Sequence, residues 1–275
     1  MARKSRNFSS TLSRNPLFMQ IYIINLERAP DRLKSITEEF AKYGLSFERI
    51  DAYDGKQHSS SETQSFRQKV EERHYWLMEM TDGEVACYLS HQRAWKALLD
   101  SGDEWAFIAE DDIRFEDDPR KFLKDLSWIP DDAALIQLAY EFPKRHVKYQ
   151  GSIKQLIDGY VLSCLMDYRQ SGGGGQGYLI NRSLVAQLLR AFPLVNAPVD
   201  DLLFFHASRV RKMTRPLFLC PGLISNNDGG KSFLQGEKEK VRSQASRYPL
   251  RYIERKLIKW THALKCRFVY KDMIR

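Results

Sequence analysis

The sequence predicts an α/β domain built around one mixed central sheet of the nucleotide-binding kind. Three observations carry that prediction. The chain opens on an apolar strand, an amphipathic helix and a second short strand, the half-unit from which such sheets are assembled. A second apolar strand, Trp105-Ala-Phe-Ile-Ala109, runs straight into three acids, Glu110, Asp111 and Asp112. The 275 residues are 43% hydrophobic and 28% charged, with 15 Gly and 10 Pro, which suits one large domain and excludes a disordered, collagen-like or low-complexity chain.

The elements follow in order. After a polar leader, Gln20-Ile-Tyr-Ile-Ile-Asn25 reads as a buried strand. Residues 28–43 place Leu33, Ile36 and Phe40 at helical spacing, and Gly44 supplies the stop. Leu45, Phe47 and Ile50 alternate as a strand that ends in the turn-rich Asp51-Ala-Tyr-Asp-Gly55. Residues 57–80 are polar and receive no assignment. From Gly83 to Leu99, Val85, Tyr88, Leu89, Trp95, Leu98 and Leu99 mark a helix ending at Ser101-Gly102. The strand at 105–109 comes next, then a core strand at 135–139 and an irregular stretch over 141–170. A four-glycine run, Gly172 to Gly175, precedes a strand at 176–180, and Asn181 caps a helix over 182–192. Pro198-Val-Asp200-Asp201 opens a further short helix, and Pro216 to Cys220 is the last strand expected. The simplest partition is a basic leader (1–19), one catalytic-sized domain (20–230) and a basic amphipathic helical extension (231–275).

Charge is distributed unevenly. The net +8 divides into +4 over residues 1–20 and +9 over 231–275, where thirteen Lys or Arg meet four acids, leaving the body at −5. A nucleic-acid binder carries its positive charge on the folded recognition surface, so that class is disfavoured. In the extension, Leu250, Ile253, Leu257, Trp260, Leu264 and Phe268 recur every three or four residues among Arg251, Arg255, Lys259 and Arg267. Such a helix either packs on the domain or rests on anionic lipid, where each basic residue contributes about 1 kcal/mol. Cys87, Cys164, Cys220 and Cys266 lie at least 46 residues apart, which argues against structural zinc and a disulfide scaffold. Neither an apolar signal-peptide core nor an 18-residue apolar span is present in the sequence. The expectation is therefore a cytoplasmic protein, peripheral on the cytoplasmic face of an inner membrane if the extension binds lipid.

The chemistry points to the acids after 109. Ligands of open α/β sheets collect at the carboxyl ends of strands. Three adjacent carboxylates repel one another and are best tolerated beside a divalent cation, with Mg2+ or Mn2+ holding one or two of them while bridging substrate phosphates. The bland alternative is a solvated loop, the expected fate of Glu116-Asp117-Asp118.

Six stretches together resemble glycosyltransferase family 25: Ile24-Asn-Leu-Glu-Arg28 with Arg32, Phe47 through Asp51-Ala-Tyr-Asp-Gly55, Gly83-Glu-Val-Ala-Cys-Tyr-Leu-Ser-His91, Ala109-Glu-Asp-Asp112, Gln176-Gly-Tyr-Leu-Ile180 and Pro198-Val-Asp-Asp201. The resemblance implies a GT-A-like fold, a UDP-sugar donor and inverting, metal-dependent transfer of a hexose to a glycan or lipid-linked glycan acceptor. Galactose from UDP-galactose and a lipooligosaccharide or bacterial surface-glycan acceptor are what it points to. UDP-glucose and UDP-N-acetylhexosamine are the alternatives within the fold. It further implies a donor-binding set of Asn25, Arg28, Arg32, Asp54, Gly83, His91, Glu110 and Asp111. Asp112 and Glu110 become the metal ligands, Gln176, Gly177 and Tyr178 the acceptor side, and Asp200 or Asp201 the base that takes the acceptor proton.

Each residue also has a plainer reading. Arg28 and Arg32 suit a solvated helix face, His91 and Tyr178 the core, and one of Asp200 and Asp201 a helix N-cap. Ala86 departs from an expected glycine, and the third metal ligand is open among His206, Asn226 and Asp228. A non-enzymatic polyanion- or membrane-binding protein and a donor-binding but inactive family member are the competing functions.

Overall fold

Met19–Asn25 forms β1, buried from Ile21 onward. The computed structural model describes residues 19–57, 65–66, 80–139, 149–165, 175–195, 197–204 and 208–226. The leader through residue 18, most of the 57–80 segment, Gly172 to Gly174, His206, Asp228 and the 231–275 extension lie outside the described residues.

Pro30–Ala41 forms α1, with proline where a helix start tolerates it and Gly44 in the left-handed region (φ 60°) just beyond its end. The chain returns as β2 (Glu48–Asp51), parallel to β1 with Ile24 opposite Ile50. Asp82–Ser101 is the long helix α2. It is opened by a capping box in which the Thr81 hydroxyl accepts the Glu84 N–H (3.1 Å) and the Glu84 carboxylate accepts the Thr81 N–H (2.9 Å), and is closed by Gly102 at φ 85°. β3 (Trp105–Glu110) then lies parallel to β1 on the side opposite β2.

The remaining elements are β4 (Ile113–Phe115), the short α3 (Arg120–Leu123), β5 (Leu135–Gln137), β6 (Tyr149–Gln155), β7 (Val161–Leu165), β8 (Gly177–Asn181), α4 (Arg182–Ala191), α5 (Val199–Phe204), β9 (Leu217–Cys220) and β10 (Ile224–Asn226). Eight strands make one mixed sheet in the order β2-β1-β3-β8-β5-β9-β7-β6. Its antiparallel pairings leave β7 and β8 running against the other six. This is the mixed central α/β sheet that the sequence predicts.

Both faces of the sheet are covered. Tyr22, Ile24, Ala106, Ile108, Tyr178 and Ile180 point to one face and meet Trp95, Leu98, Leu184, Leu188 and Phe204 of α2, α4 and α5. Ile21, Ile23, Phe107, Ala109 and Leu179 point to the other, where Ile36, Phe40 and Phe122 cover them. The period of two explains why these strands read as continuous apolar runs, since each successive side chain finds its own core. Each large apolar side chain so buried contributes about 1.5–3 kcal/mol.

Two expectations are corrected. The stretch 141–170 is not irregular where it is described: β6 and β7 pair antiparallel and β7 docks on β9, Leu162 opposite Leu219. Tyr149–Gln155 sits at the sheet edge with a polar sequence, so no apolar alternation announced it. The strand at 217–220 is not the last either, because β10 follows and pairs antiparallel with β4, Asn226 opposite Ile113. Three-residue strands carry too little periodicity to be read.

Candidate functional site

Strand order reverses at β1: α1 leads to β2 on one side, and the chain then crosses to β3 on the other. Such a switch point opens a crevice beyond the carboxyl ends of its strands. A cleft of about 780 Å³, open to solvent, lies there. Its walls come from the ends of β1 and β3, Arg28 and Arg32, the 52–56 loop, and the Gly83, Ala86, Cys87, Ser90 and His91 stripe of α2. Gly55 lets that loop close on the helix, because a Cβ there would stand 2.9 Å from the Asp82 carbonyl oxygen and 3.2 Å from Ala86 Cβ.

The acids leave β3 at the cleft floor with different surroundings. Asp111 is buried; its Oδ2 accepts the Asn25 Nδ2 amide (2.7 Å) and its Oδ1 accepts Arg32 (3.0 Å). Burial pushes its carboxyl above the usual range, against the pull of Asn25 and Arg32. Arg32 also stands 3.5 Å from Asp112 Oδ2, so one guanidinium serves two of the three acids. Asn25, itself 1% exposed, spends its second amide hydrogen on the Ala29 carbonyl (3.2 Å) and accepts Arg49 Nε (2.9 Å). It is a buried bracket between β1, β2 and the acidic strand end.

Across the cleft, Asp54 accepts Arg28 Nε (2.6 Å) and the Lys56 N–H (3.0 Å). Burial works to raise the Asp54 carboxyl, but the Arg28 and Lys56 bonds and charges outweigh it and hold the group below the usual carboxylate range. Arg28 is thereby fixed at the cleft wall.

Below the floor runs a buried relay. Tyr178 is fully enclosed and its hydroxyl is pushed well above the ordinary phenol range by desolvation, so it stays protonated. The indole N–H of Trp95 donates to it (3.0 Å) and His91 Nδ1 lies 2.8 Å away. Indole can only donate, so the phenol oxygen spends one lone pair on Trp95, and its hydrogen and second lone pair are available to Nδ1 in either tautomer of the imidazole. Nε2 faces Glu110 Oε1 at 3.8 Å.

The structure thus brings Arg28, Arg32, Asp54, Gly83, His91, Glu110, Asp111 and Asp112 to one cleft, with Asn25 behind it. Tyr178 supports the cleft from the core and is not on its surface. Gly177 is packed so closely that a Cβ would fall 2.1 Å from Ile224 Cδ1, while the Gln176 carbonyl accepts the Glu110 N–H (3.0 Å). Asp200 and Asp201 sit in the first turn of α5, where the Asp200 carboxylate accepts the Asp201 N–H (3.0 Å); neither is among the cleft-lining residues. Gly175 joins the two regions, since a Cβ on it would meet Val199 at 3.3 Å and His91 Nε2 at 3.5 Å. Sequence reasoning missed Arg49, which steadies Asn25, and Ser90, whose hydroxyl accepts the Tyr53 N–H (2.8 Å). It also missed Cys87, although the spacing of Gly83, Cys87 and His91 by four already puts them on one helix face.

A switch-point cleft lined with acids and arginines stands where an open α/β sheet takes its ligand. The match to Glycosyltransferase family 25 (LPS biosynthesis protein) spans residues 18–203, and the chain belongs to that family. A glycosyltransferase 25 family member of Aedes aegypti is 30% identical over 236 residues, 76% of this chain and 37% of its own length. Human procollagen galactosyltransferase 2 is 30% identical over 45% of this chain and 20% of its own. A rat protein named "probable inactive glycosyltransferase 25 family member 3" is 27% identical over 68% of this chain and 32% of its own. The matches thus cover between 20% and 37% of the length of these relatives. A solved glycosyltransferase involved in glycosylation of the major capsid of PBCV-1 superposes over 82% of this chain and 99% of its own, with a TM-score of 0.40 and 12% identity.

The donor set suits the divalent cation that the family implies. Glu110 and Asp112 offer carboxylate oxygens, and Asn226 sits at the register position beside Asp112, opposite Ile113. The Asn226 amide oxygen is buried and makes no hydrogen bond among the described residues, an arrangement that an oxygen-seeking cation would satisfy.

Proposed function

We propose that this chain is an inverting glycosyltransferase that moves a hexose, galactose from UDP-galactose, onto a hydroxyl of a glycan or lipid-linked glycan such as lipooligosaccharide. The observation that carries the reading is the run Glu110-Asp111-Asp112, delivered by a buried strand to the floor of a switch-point cleft that also presents Arg28 and Arg32. The galactosyltransferase names of relatives support the sugar.

In this reading Arg28 and Arg32 face the diphosphate, where guanidinium offers paired donors to phosphate oxygens. Asn25 and Asp54 keep the carboxylates and arginines in position, and Glu110, Asp112 and Asn226 would hold Mn2+ or Mg2+. The cation would offset negative charge on the departing diphosphate. His91, which lines the cleft beside Glu110, belongs to the donor-binding set. Asp200 or Asp201 takes the proton of the attacking acceptor hydroxyl. The basic extension, with its apolar spacing, would hold the enzyme at an anionic cytoplasmic membrane face where a lipid-linked acceptor resides.

The test is transfer of labelled galactose by the wild type and Asp112→Asn. Transfer in the variant should fall by roughly 10²–10³-fold or more, with far-UV spectra unchanged. Wild-type turnover in D112N would remove Asp112 from the site.

A further inference from the structure

The α2 face that lines the cleft carries a thiol and an imidazole one helical turn apart, Cys87 and His91, and the Glu110 carboxylate meets them from the end of β3. One ligand atom from each lies within 4.8 Å of the other two. His91 Nε2 is fully buried, makes no hydrogen bond among the described residues, and stands 3.8 Å from Glu110 Oε1. Its other nitrogen is held by the Tyr178 hydroxyl at 2.8 Å.

We propose that Cys87, His91 and Glu110 form a Zn2+ site whose fourth position opens to the cleft. Zinc bonds of about 2.0–2.3 Å at tetrahedral angles set ligand atoms roughly 3.3–3.8 Å apart, so the imidazole and carboxylate, at 3.8 Å, already stand at that spacing, and the thiolate lies within 4.8 Å of both. A sulfur ligand selects zinc over Mg2+ and Mn2+, which take oxygen. Zinc on Nε2 places the imidazole proton on Nδ1, where the phenol oxygen of Tyr178 accepts it. That is the outer partner a ligating histidine needs, and it makes Tyr178 a positioning residue. The thiol proton leaves to solvent as the S–Zn bond forms. Glu110 also belongs to the carboxylates proposed to hold the activating cation, so zinc would displace that ion; this consequence rests on the transfer reading, whereas zinc occupancy does not.

The experiment reads occupancy with metal alone. The full chain, reduced and stripped of metal, is titrated with Co2+, which is then displaced by Zn2+. One equivalent should produce a near-ultraviolet thiolate-to-cobalt charge-transfer band and intense tetrahedral visible bands. Cys87→Ser should lose the charge-transfer band and weaken zinc binding by about 100-fold or more, since changes to outer partners alone cost about 10–100-fold. Tyr178→Phe should weaken it by about 10-fold with the band retained, and Cys220→Ser should leave both unchanged. Weak octahedral spectra in the wild type, or a charge-transfer band that survives in C87S, would overturn the site. If C87S does not fold, alkylation of the wild type decides: Zn2+ should slow modification of Cys87 and not of Cys220, and equal rates would reject the proposal. Lost sugar transfer with intact cobalt spectra would count against the function and leave the zinc site standing.

Discussion

Replacing Asn25 with alanine removes three hydrogen bonds from the carboxyl end of β1. Asn25 Nδ2 donates to Asp111 (2.7 Å) and to the Ala29 carbonyl (3.2 Å), and its oxygen accepts Arg49 Nε (2.9 Å). Two of those partners are charged, and bonds to charged groups contribute roughly 1.5–3 kcal/mol each when the partner is left buried. Water from the open cleft can reach part of the vacated space, so the net cost is placed at about 3 kcal/mol. Urea unfolding of N25A against the wild type at neutral pH measures it. Asn25→Asp is the sharper companion, because it keeps an acceptor for Arg49 but sets a carboxylate against Asp111 at the former 2.7 Å contact. One acid of such a pair must hold a proton, so its folded-state pKa rises above the unfolded value. The folded form then binds more protons than the unfolded one, and N25D should regain stability as pH falls from 7 toward 5. An N25A cost below about 1 kcal/mol, or an N25D variant as stable as the wild type at pH 7, would refute the bracket role.

Three further outcomes follow from the same geometry. Gly177→Ala places a methyl group 2.1 Å from Ile224 Cδ1 and 3.3 Å from Phe107, so it should cost about 1–3 kcal/mol in thermal unfolding, and Ile224→Ala in the same chain should recover part of it. Arg28→Met releases Asp54, whose folded-state pKa is held low by the Arg28 and Lys56 contacts; a lowered carboxylate contributes stability above its unfolded pKa and loses it as pH falls through the folded one. Stability of R28M should therefore fall less steeply than wild type below about pH 4, as pH-dependent urea midpoints would show. Tyr178→Phe strands the Trp95 indole N–H in the core and should cost about 1–3 kcal/mol by the same unfolding assay.

Much of this architecture was legible because its causes are local. β1 and β3 announce themselves through unbroken apolar runs, since each strand is covered on both faces. The stop of α2 is written in Gly102, whereas its Thr81–Glu84 capping box went unread, and Asn181 accepts the Leu184 N–H (2.8 Å) as an N-cap should. The β6–β7 hairpin was not legible, because the polar Tyr149–Gln155 acquires its extended form from pairing with its neighbours and not from its own pattern. At the cleft, residue types and order signalled the acids, Arg28, Arg32, Asp54 and His91. What sequence could not show is how they divide their partners. Asp111 was expected to face a donor, yet both its oxygens are engaged by Asn25 and Arg32. Tyr178 was expected on the acceptor side, and it lies beneath His91 with no surface in the cleft. The first depends on β1 pairing with β3 and the second on β8 passing beside β3, contacts between residues some seventy to ninety positions apart in sequence.

The cleft at the ends of β1 and β3 is proposed to bind a nucleotide sugar through its acids and arginines. Thermal unfolding of the full chain with a panel of nucleotide sugars, with and without Mn2+, tests it most directly. A ligand present at 100 times its dissociation constant adds about 2.7 kcal/mol of stability. Stabilisation by UDP-galactose that requires Mn2+ and disappears in D112N is the predicted result. An unchanged unfolding temperature with every nucleotide sugar, with or without the cation, would contradict it.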